Sequence, residues 1–168
     1  MAEWKLETGE YIAVGIDIGS TTAKIVVVDN GKLLFECYER HLSMVRKKAL
    51  ELVIRIRELV GDRPLKVAVS GSAGFGLAKA AGLPFVQEVF ATGEVVKRLA
   101  PETSAVIELG GEDAKILFFT NGVEVRMNGS CAGGTGAFID QMASLLNVDP
   151  LEMNELAKKK EKIYSIAS

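Results

Sequence analysis

The order of apolar and polar positions divides the first forty residues into three strands. Each segment is rich in apolar and β-branched side chains and is bounded by turn residues, which is the pattern of a strand. The predicted strands are Tyr11–Asp17, Ala23–Asp29 and Lys32–Arg40. Asn30–Gly31 predicts a type I′ hairpin turn, because both of its turn positions need positive φ. The nearly continuous apolar run of the first strand indicates a sheet that is covered on both faces.

A helical period follows, and after it a shorter strand. Apolar residues recur at helical spacing over Ser43–Val60, and most charged residues fall on the opposite face. Ser43 is the predicted N-cap of this helix, and Gly61 is the residue predicted to end it. Lys66–Ser70 predicts a short buried strand, and the glycine-rich segment Gly71–Gly76 predicts a structural loop. Two short predicted helices come next, at Leu77–Ala81 and Thr92–Leu99.

The opening pattern recurs in the second half of the chain. Three further predicted strands, the first of them a buried one, are Ser104–Leu109, Ala114–Thr120 and Val123–Met127. Asn121–Gly122 predicts a second hairpin turn. Two units of strand, turn, strand, Asn-Gly turn and strand therefore flank a helical crossover, which makes a weak internal repeat.

The last forty residues predict two helices. The first follows Cys131–Gly136, carries one apolar stripe and ends near Leu146. Asp149–Pro150 begins the second, because an N-cap acid, a proline at the first helical position and Glu152 at the third coincide there. Tyr164–Ala167 has the pattern of a strand that is beginning. We therefore expect this chain to be the N-terminal part of a longer protein.

Composition narrows the class of protein. The 168 residues are 48% apolar and 25% charged, which is a globular composition. The net charge of −2 provides no basic field for nucleic acid or for an anionic membrane, so neither is an expected partner. No apolar run is long enough to span a bilayer. Residues 1–10 are predicted to be an extension without a signal-peptide pattern, and we expect a cytoplasmic protein.

The cysteine and histidine content excludes several kinds of site. Cys37 and Cys131 are too few and too far apart for a disulfide framework, and they form no CxxC metal motif. The single histidine, His41, excludes a histidine-based zinc site and a Ser-His-Asp triad within this chain. We interpret His41 as a solvated residue at a strand end and Cys37 as a core residue.

The turn that joins the first two predicted strands contains the groups that a phosphate and a magnesium ion require. We call these two strands and their turn the first hairpin. A glycine lets the backbone approach a ligand, while hydroxyls and backbone N–H groups donate to phosphate oxygens. Asp17, at the end of a strand, is suited to hold Mg²⁺ through water. The predicted nucleotide-binding residues of this hairpin are Gly19, Ser20, Thr21, Thr22 and Lys24. The alternative is a plain tight turn between two strands.

The second hairpin repeats this logic. Glu108 ends a predicted strand in the place that Asp17 has in the first hairpin, and Gly110–Gly111 permits close approach of a phosphate. A plain Gly-Gly turn is an equal alternative for this segment taken alone. Together the two hairpins have the chemistry to hold a triphosphate and Mg²⁺ from both sides. Neither is a Walker A loop, because the chain contains no GxxxxGK[ST] segment.

These segments resemble a known group of ATPases. Gly15–Lys24 resembles the phosphate-1 motif of the actin, sugar kinase and heat-shock chaperone superfamily, and Ile107–Lys115 resembles its phosphate-2 motif. With Met127–Asp140, they resemble the ATP-dependent activators of 2-hydroxyacyl-CoA dehydratases, the BadF/BadG/BcrA/BcrD-type ATPases. That group includes the activating subunits of benzoyl-CoA reductase. The resemblance runs from Tyr11 to Ser168.

The resemblance implies an RNase H-like α/β domain with a mixed sheet flanked by helices, over residues 11–168. It implies ATP, ADP and Mg²⁺ as cofactors, with Asp17 and Glu108 as the catalytic residues that serve the metal and the attacking water. The adenine half of the site would lie beyond Ser168, so this fragment is expected to be inactive alone. One departure from the family pattern is that Glu108 and Glu112 stand where many members have Asp and Gln. The residues of these motifs resemble those of long multidomain activases more than those of short dimeric activators.

The resemblance also implies electron transfer. Family activators are homodimers that share one 4Fe–4S cluster, and Cys131 matches the first cluster cysteine. Cys131 precedes a predicted helix, whose dipole favours a thiolate. The second ligand is expected beyond Ser168. A flavodoxin or ferredoxin would be the electron donor, and a CoA-ester dehydratase or reductase would be the acceptor.

Two other functions are compatible with the residues. One is a phosphotransferase of the same superfamily, of the sugar or acetate kinase type, without a cluster. The other is a non-catalytic nucleotide-sensing domain of a multidomain protein. A substrate-dependent yield of ADP would distinguish the first, and binding without turnover would distinguish the second.

Overall fold

The structure, a computed structural model, describes residues 11–120, 122–127 and 135–164. The chain divides into two compact units, Met1–Thr103 and Ser104–Ser168. In the described ranges, no helix has the length and the apolar character needed to cross a membrane.

The first unit is a mixed sheet with helices. Its elements are β1 (Ile12–Ile18), β2 (Thr22–Asp29), β3 (Lys32–Arg40), α1 (Val45–Val60), β4 (Leu65–Ser70), α2 (Gly74–Ala81) and α3 (Glu88–Leu99). The strand order is β3-β2-β1-β4, in which β1 pairs antiparallel with β2 and parallel with β4. Phe85 adds a parallel bridge to Val69 of β4. The predicted α/β architecture with a mixed sheet is confirmed.

The core of the first unit lies between β1, β2 and the apolar face of α1. Along β1, every second side chain is buried, which is the period of a strand with one face in a core. Leu52 and Ile56 of α1 close this core from the helix side. Each such side chain contributes about 1.5–3 kcal/mol when it is fully buried. The core therefore fixes where the end of β1 lies.

Two local predictions, for the Asn30–Gly31 turn and for the end of α1, are confirmed, and the prediction for the start of α1 is wrong. Asn30 and Gly31 both have positive φ, as a type I′ turn requires. Gly61 ends α1, and its N–H donates to the carbonyl of Arg57. Ser43, however, is not the N-cap, because it has φ of 63° and Met44 takes that position. The main-chain turn that precedes α1, rather than a hydroxyl cap, determines where this helix begins.

The glycine-rich segment after β4 also differs from its prediction. Only its first residues form a loop, and α2 begins at Gly74. The N–H of Ala73 donates to the carbonyl of Ile18 at 3.0 Å, so contact with the end of β1 starts this helix. Helix α3 begins at Glu88 instead of Thr92. Tertiary contacts override the weak helix propensity of glycine here.

The second unit contains β5 (Ala105–Leu109), β6 (Ala114–Phe118), β7 (Glu124–Met127), α4 (Gly136–Leu145) and α5 (Pro150–Lys158). Its strands form an antiparallel sheet in the order β5-β6-β7. Asp149 caps α5 as predicted, since its carboxylate accepts the N–H of Glu152 at 2.8 Å. Asn121 of the second Asn-Gly turn and most of the strand predicted at Tyr164–Ala167 lie outside the described residues.

Burial in the second unit is weaker than the sequence predicts. Ile107 and Leu109 of β5 are 69% and 67% exposed, so the prediction of a buried strand is wrong. Leu145 and Leu146, in the predicted apolar stripe of α4, are exposed as well. The reason is that, among the described residues, β5 pairs with β6 alone and little else covers it.

Candidate functional site

The first candidate site is built around Asp17, at the carboxyl end of β1. Its Oδ2 accepts a hydrogen bond from Lys24 Nζ at 2.7 Å, and its Oδ1 accepts one from Ser70 Oγ at 3.2 Å. The strand register explains both contacts, because Asp17 lies opposite Lys24 in β2 and opposite Ser70 in β4. The Asp17 side chain is still 29% exposed. The carboxylate is therefore oriented by the sheet and open to solvent.

Lys24 is a charged partner of this carboxylate. Burial by itself lowers the pKa of the Lys24 ammonium, but the hydrogen bond and the charge of Asp17, with smaller contributions from Tyr38 and Glu88, raise the pKa above its ordinary value. The Lys24 Nζ also lies 5.4 Å from the centre of the Tyr38 ring. A lysine held in this way keeps its positive charge beside the strand end.

Gly71 brings the end of β4 against the end of β1. Its φ is 90°, and a Cβ at this position would lie 2.2 Å from the Ile18 carbonyl oxygen and 2.5 Å from Asp17 Oδ1. No side chain fits there. The glycine that the sequence assigns to a structural loop is thus a packing requirement of the candidate site.

Two carbonyl groups of the turn between β1 and β2 accept hydrogen bonds from one residue, His41. The N–H of Gly19 donates to the Thr22 carbonyl at 2.9 Å, which closes the turn. The carbonyl oxygens of Gly19 and Thr21 lie 3.0 Å from His41 Nε2 and 3.2 Å from the His41 backbone N–H. None of the described backbone hydrogen bonds outside helices and strands uses the N–H of Ser20 or Thr21 as its donor. Both N–H groups are therefore candidate donors to a ligand.

The three hydroxyl residues of this turn differ in burial. Ser20 and Thr21 are half-buried, whereas Thr22 is the first residue of β2 and is buried. A depression of about 340 Å³ opens in the same unit and is lined in part by Asp17, Lys24 and Ser70. The depression therefore adjoins the carboxylate of Asp17, the ammonium of Lys24 and the hydroxyl of Ser70, whereas the three hydroxyl residues of the turn do not line it.

The second candidate site repeats the pairing of acid and lysine. Glu108 of β5 lies opposite Lys115 of β6, with Oε1 and Nζ 3.6 Å apart. Asp113 Oδ2 approaches the same Nζ at 3.2 Å, and the Lys115 side chain is only 9% exposed. Glu108 Oε2 is buried and has no hydrogen-bond partner among the described residues. Buried polar atoms are normally satisfied, so this oxygen is suited to accept from a bound water.

The Gly110–Gly111 turn is bonded to the start of α4. The N–H of Gly110 donates to the Asp113 carbonyl at 2.8 Å, and a Cβ on Gly110 would lie 2.5 Å from Asp113 Oδ1. The carbonyls of Gly110 and Gly111 accept from the N–H groups of Gly136 and Ala137 at 2.9 and 2.8 Å. In a trans peptide the N–H points away from the C=O, so the N–H groups of Gly111 and Glu112 point away from α4.

The structure does not test the predicted cluster ligand. Cys131 lies outside the described residues. Cys37 is half-buried in β3, and burial raises the pKa of its thiol, which makes it a poor thiolate ligand. Within residues 11–120, 122–127 and 135–164, no group of three or more His, Cys, Asp or Glu side chains is arranged for a metal ion.

His41 is the residue whose environment was predicted wrongly from the sequence. It is 3% exposed and contacts the first candidate site, so its interpretation as a solvated residue is wrong. A single histidine after a strand gives no sequence signal for this position, because the contact joins residues 22 positions apart.

The first unit is a mixed sheet that begins with an antiparallel meander and is flanked by helices, and an acid ends its first strand. This fold places the chain in the class of actin-like ATPase domains. The particular family follows from the sequence. The model of the BadF/BadG/BcrA/BcrD ATPase family matches residues 14–167, and the chain belongs to this family.

Similar proteins agree with this assignment. The chain is 30% identical to the (R)-2-hydroxyglutaryl-CoA dehydratase activating ATPase of Acidaminococcus fermentans, over 92% of the chain and 61% of that protein. It is 30% identical to the 2-hydroxyisocaproyl-CoA dehydratase activator of Clostridioides difficile, over 92% of the chain and 60% of that protein.

A solved structure of a Clostridium difficile activator of 2-hydroxyisocaproyl-CoA dehydratase with bound ADPNP superimposes with a TM-score of 0.77. Its sequence identity to this chain is 29%, and the match covers 94% of this chain and 60% of that one. The chain thus spans about three fifths of the length of these relatives.

Proposed function

We propose that the protein containing this chain is an ATP-dependent activator that passes a low-potential electron to a CoA-ester dehydratase or reductase. The observation that carries the ATP-binding part of the proposal is that both hairpins repeat one arrangement of residues. In each, an acid at a strand end lies opposite a lysine of the next strand, as Asp17 lies opposite Lys24 and Glu108 opposite Lys115. A glycine turn with bonded carbonyls separates the two strands each time.

The residues fit a magnesium nucleotide. Carboxylate oxygens and water are the ligands that Mg²⁺ prefers. Asp17 offers a partly exposed carboxylate, and Glu108 offers an oxygen without a hydrogen-bond partner among the described residues. Mg²⁺ supplies charge neutralisation at the phosphates. Asp17 would hold the metal through water, Glu108 would accept a proton from the attacking water, and the N–H groups of both turns would bind phosphate oxygens.

The electron-transfer part of the proposal rests on Cys131. One 4Fe–4S cluster takes four thiolates, and a homodimer with Cys131 supplies two of them. The other two would come from a cysteine in the part of the protein that follows Ser168. Flavodoxin or ferredoxin is the proposed donor, because both carry single electrons at low potential. The dehydratase partner is inferred from the names of the relatives.

The first test measures iron in the full-length protein, purified without oxygen and reconstituted with iron and sulfide. We expect about four irons per dimer in the wild type and in Cys37→Ser, and none in Cys131→Ser. Cys37→Ser is the matched control, since it removes the half-buried thiol that is unsuited to ligation. Absence of iron from the wild type would contradict the electron-transfer proposal and leave an ATPase.

The second test measures ATP hydrolysis by the same protein. We expect Asp17→Asn and Glu108→Gln each to lower kcat at least about 100-fold, because each removes a charge that serves the metal or the water. Glu94→Gln, an exposed carboxylate of α3, is the control and should retain wild-type kcat. Unchanged hydrolysis in both site variants would contradict the assigned roles.

A further inference from the structure

His41 lies beneath the turn of the first hairpin. The residue is 3% exposed, and its Nε2 lies 3.0 Å from the carbonyl oxygen of Gly19. A carbonyl oxygen only accepts hydrogen bonds, so Nε2 is the ring nitrogen that carries the hydrogen. The His41 backbone N–H holds a second carbonyl of the same turn, that of Thr21, at 3.2 Å. One residue therefore donates hydrogen bonds to two carbonyls of the turn between β1 and β2.

Two kinds of unfavourable feature occur at and directly after His41. Leu42 and Ser43, directly after it, both have left-handed φ values, of 47° and 63°. His41 Nδ1 is buried and has no hydrogen-bond partner among the residues that the structure describes. Such features persist where the rest of the fold holds them, and they concentrate at functional sites. The fold therefore holds His41 next to the turn although the unpartnered Nδ1 and the two left-handed residues have an energetic cost.

The bond to Gly19 decides which side of one peptide faces a ligand. The chain has no cis peptide among its described residues, and in a trans peptide the C=O and the following N–H point in opposite directions. Because the Gly19 carbonyl points at His41, the Ser20 N–H points away from it. If this peptide turned over, a carbonyl oxygen would replace the N–H and would repel a phosphate.

We propose that His41 is a positioning residue for nucleotide binding, which holds the Gly19–Ser20 peptide so that the Ser20 N–H donates to a phosphate oxygen. This inference rests on the proposed function. His41 does not touch the nucleotide. It acts through the Gly19 carbonyl, and it selects the orientation of the peptide before the ligand arrives.

The test compares His41→Leu with His41→Gln in the full-length protein. Leucine fills the space without a donor, whereas the glutamine amide nitrogen reaches the position of the histidine Nε2. We expect His41→Leu to raise the KM for ATP and the Kd for Mg-ADPNP about tenfold, with kcat changed less than about threefold. His41→Gln should stay within about threefold of the wild type in all three. A merely structural role would lower the active fraction, and hence kcat, and leave KM unchanged.

A further variant keeps the test decisive if His41→Leu does not fold. His41→Asn carries the same amide, but its nitrogen reaches only the position of Nδ1, so we expect it to bind ADPNP as poorly as a donor-free variant. Folded Leu or Asn variants with wild-type KM and Kd would overturn the role of His41 alone. Failure of the wild type to bind Mg-ADPNP would overturn the proposed function and this inference with it.

Discussion

At the residue scale, Gly71 illustrates how a position without a side chain shapes the candidate site. Its left-handed φ and the carbonyl of Ile18, 2.2 Å from a would-be Cβ, leave no room for alanine. Gly76 in α2 has no atom within 4 Å of a would-be Cβ and no positive φ. These two glycines, five residues apart, therefore make a matched pair.

We expect Gly71→Ala to lower the free energy of unfolding by about 2–3 kcal/mol, through strain and displacement of the end of β1. Gly76→Ala should be neutral or stabilising by up to about 1 kcal/mol, because alanine favours the helix. Urea unfolding followed by circular dichroism measures both. Equal unfolding midpoints for the two variants would show that the close approach at Gly71 does not exist.

Residue-scale chemistry was partly predictable from the sequence. Asp17 and Glu108 could be singled out, because an acid, glycines and, in the first hairpin, hydroxyls within a few positions form a local pattern. His41 could not, since its contact with Gly19 depends on how β3 returns beside the first hairpin. The hydroxyl of Ser43 predicted a cap that the left-handed backbone does not use.

At the element scale, α4 is joined to the second hairpin through its first two N–H groups. Gly136 is the first helical residue, its N–H donates to the Gly110 carbonyl, and the preceding Thr135 is extended with ψ of 168°. Proline suits the first helical position, and an extended residue suits the place before proline. A proline at 136 therefore preserves the helix and removes this one donor.

We expect Gly136→Pro to weaken the binding of Mg-ADPNP by the full-length protein about tenfold. The ring carbon takes the place of the hydrogen, so the Gly110 carbonyl must move and the turn loses its orientation. Gly136→Ala is the control, because its Cβ would lie 3.5 Å from Gly110 and Gly111 atoms, an ordinary contact. Titration calorimetry measures both, and equal Kd values would argue against a coupling between α4 and the turn.

At the scale of the whole molecule, the two units differ in how much they bury. The first has a continuous core from β1, β2, α1, β4 and α2. In residues 104–120, 122–127 and 135–164, the buried apolar side chains are Leu117 and Ala143. Since apolar burial is the main source of stability, we expect the second unit of this chain to be less stable than the first.

We expect the 168-residue chain to unfold in two steps in urea, with the second unit opening first. Hydrogen–deuterium exchange with mass spectrometry should show fast exchange in peptides of β5 and α4 at urea concentrations where β1 and α1 remain protected. Simultaneous loss of protection in both units would contradict the expected difference.

Elements with local causes could be predicted from the order of residues alone. Strand alternation, the Asn30–Gly31 turn, the Asp149 cap of α5 and the two glycine hairpins all follow from interactions within a few residues, which periodicity and turn chemistry report. Other features depend on how the chain packs in three dimensions. The start of α2 at Gly74, the burial of His41 and the bonding of α4 to Gly110 depend on contacts between residues far apart in the chain. Such contacts cannot be predicted from the types of the residues involved, because they form only when the strands and helices have packed.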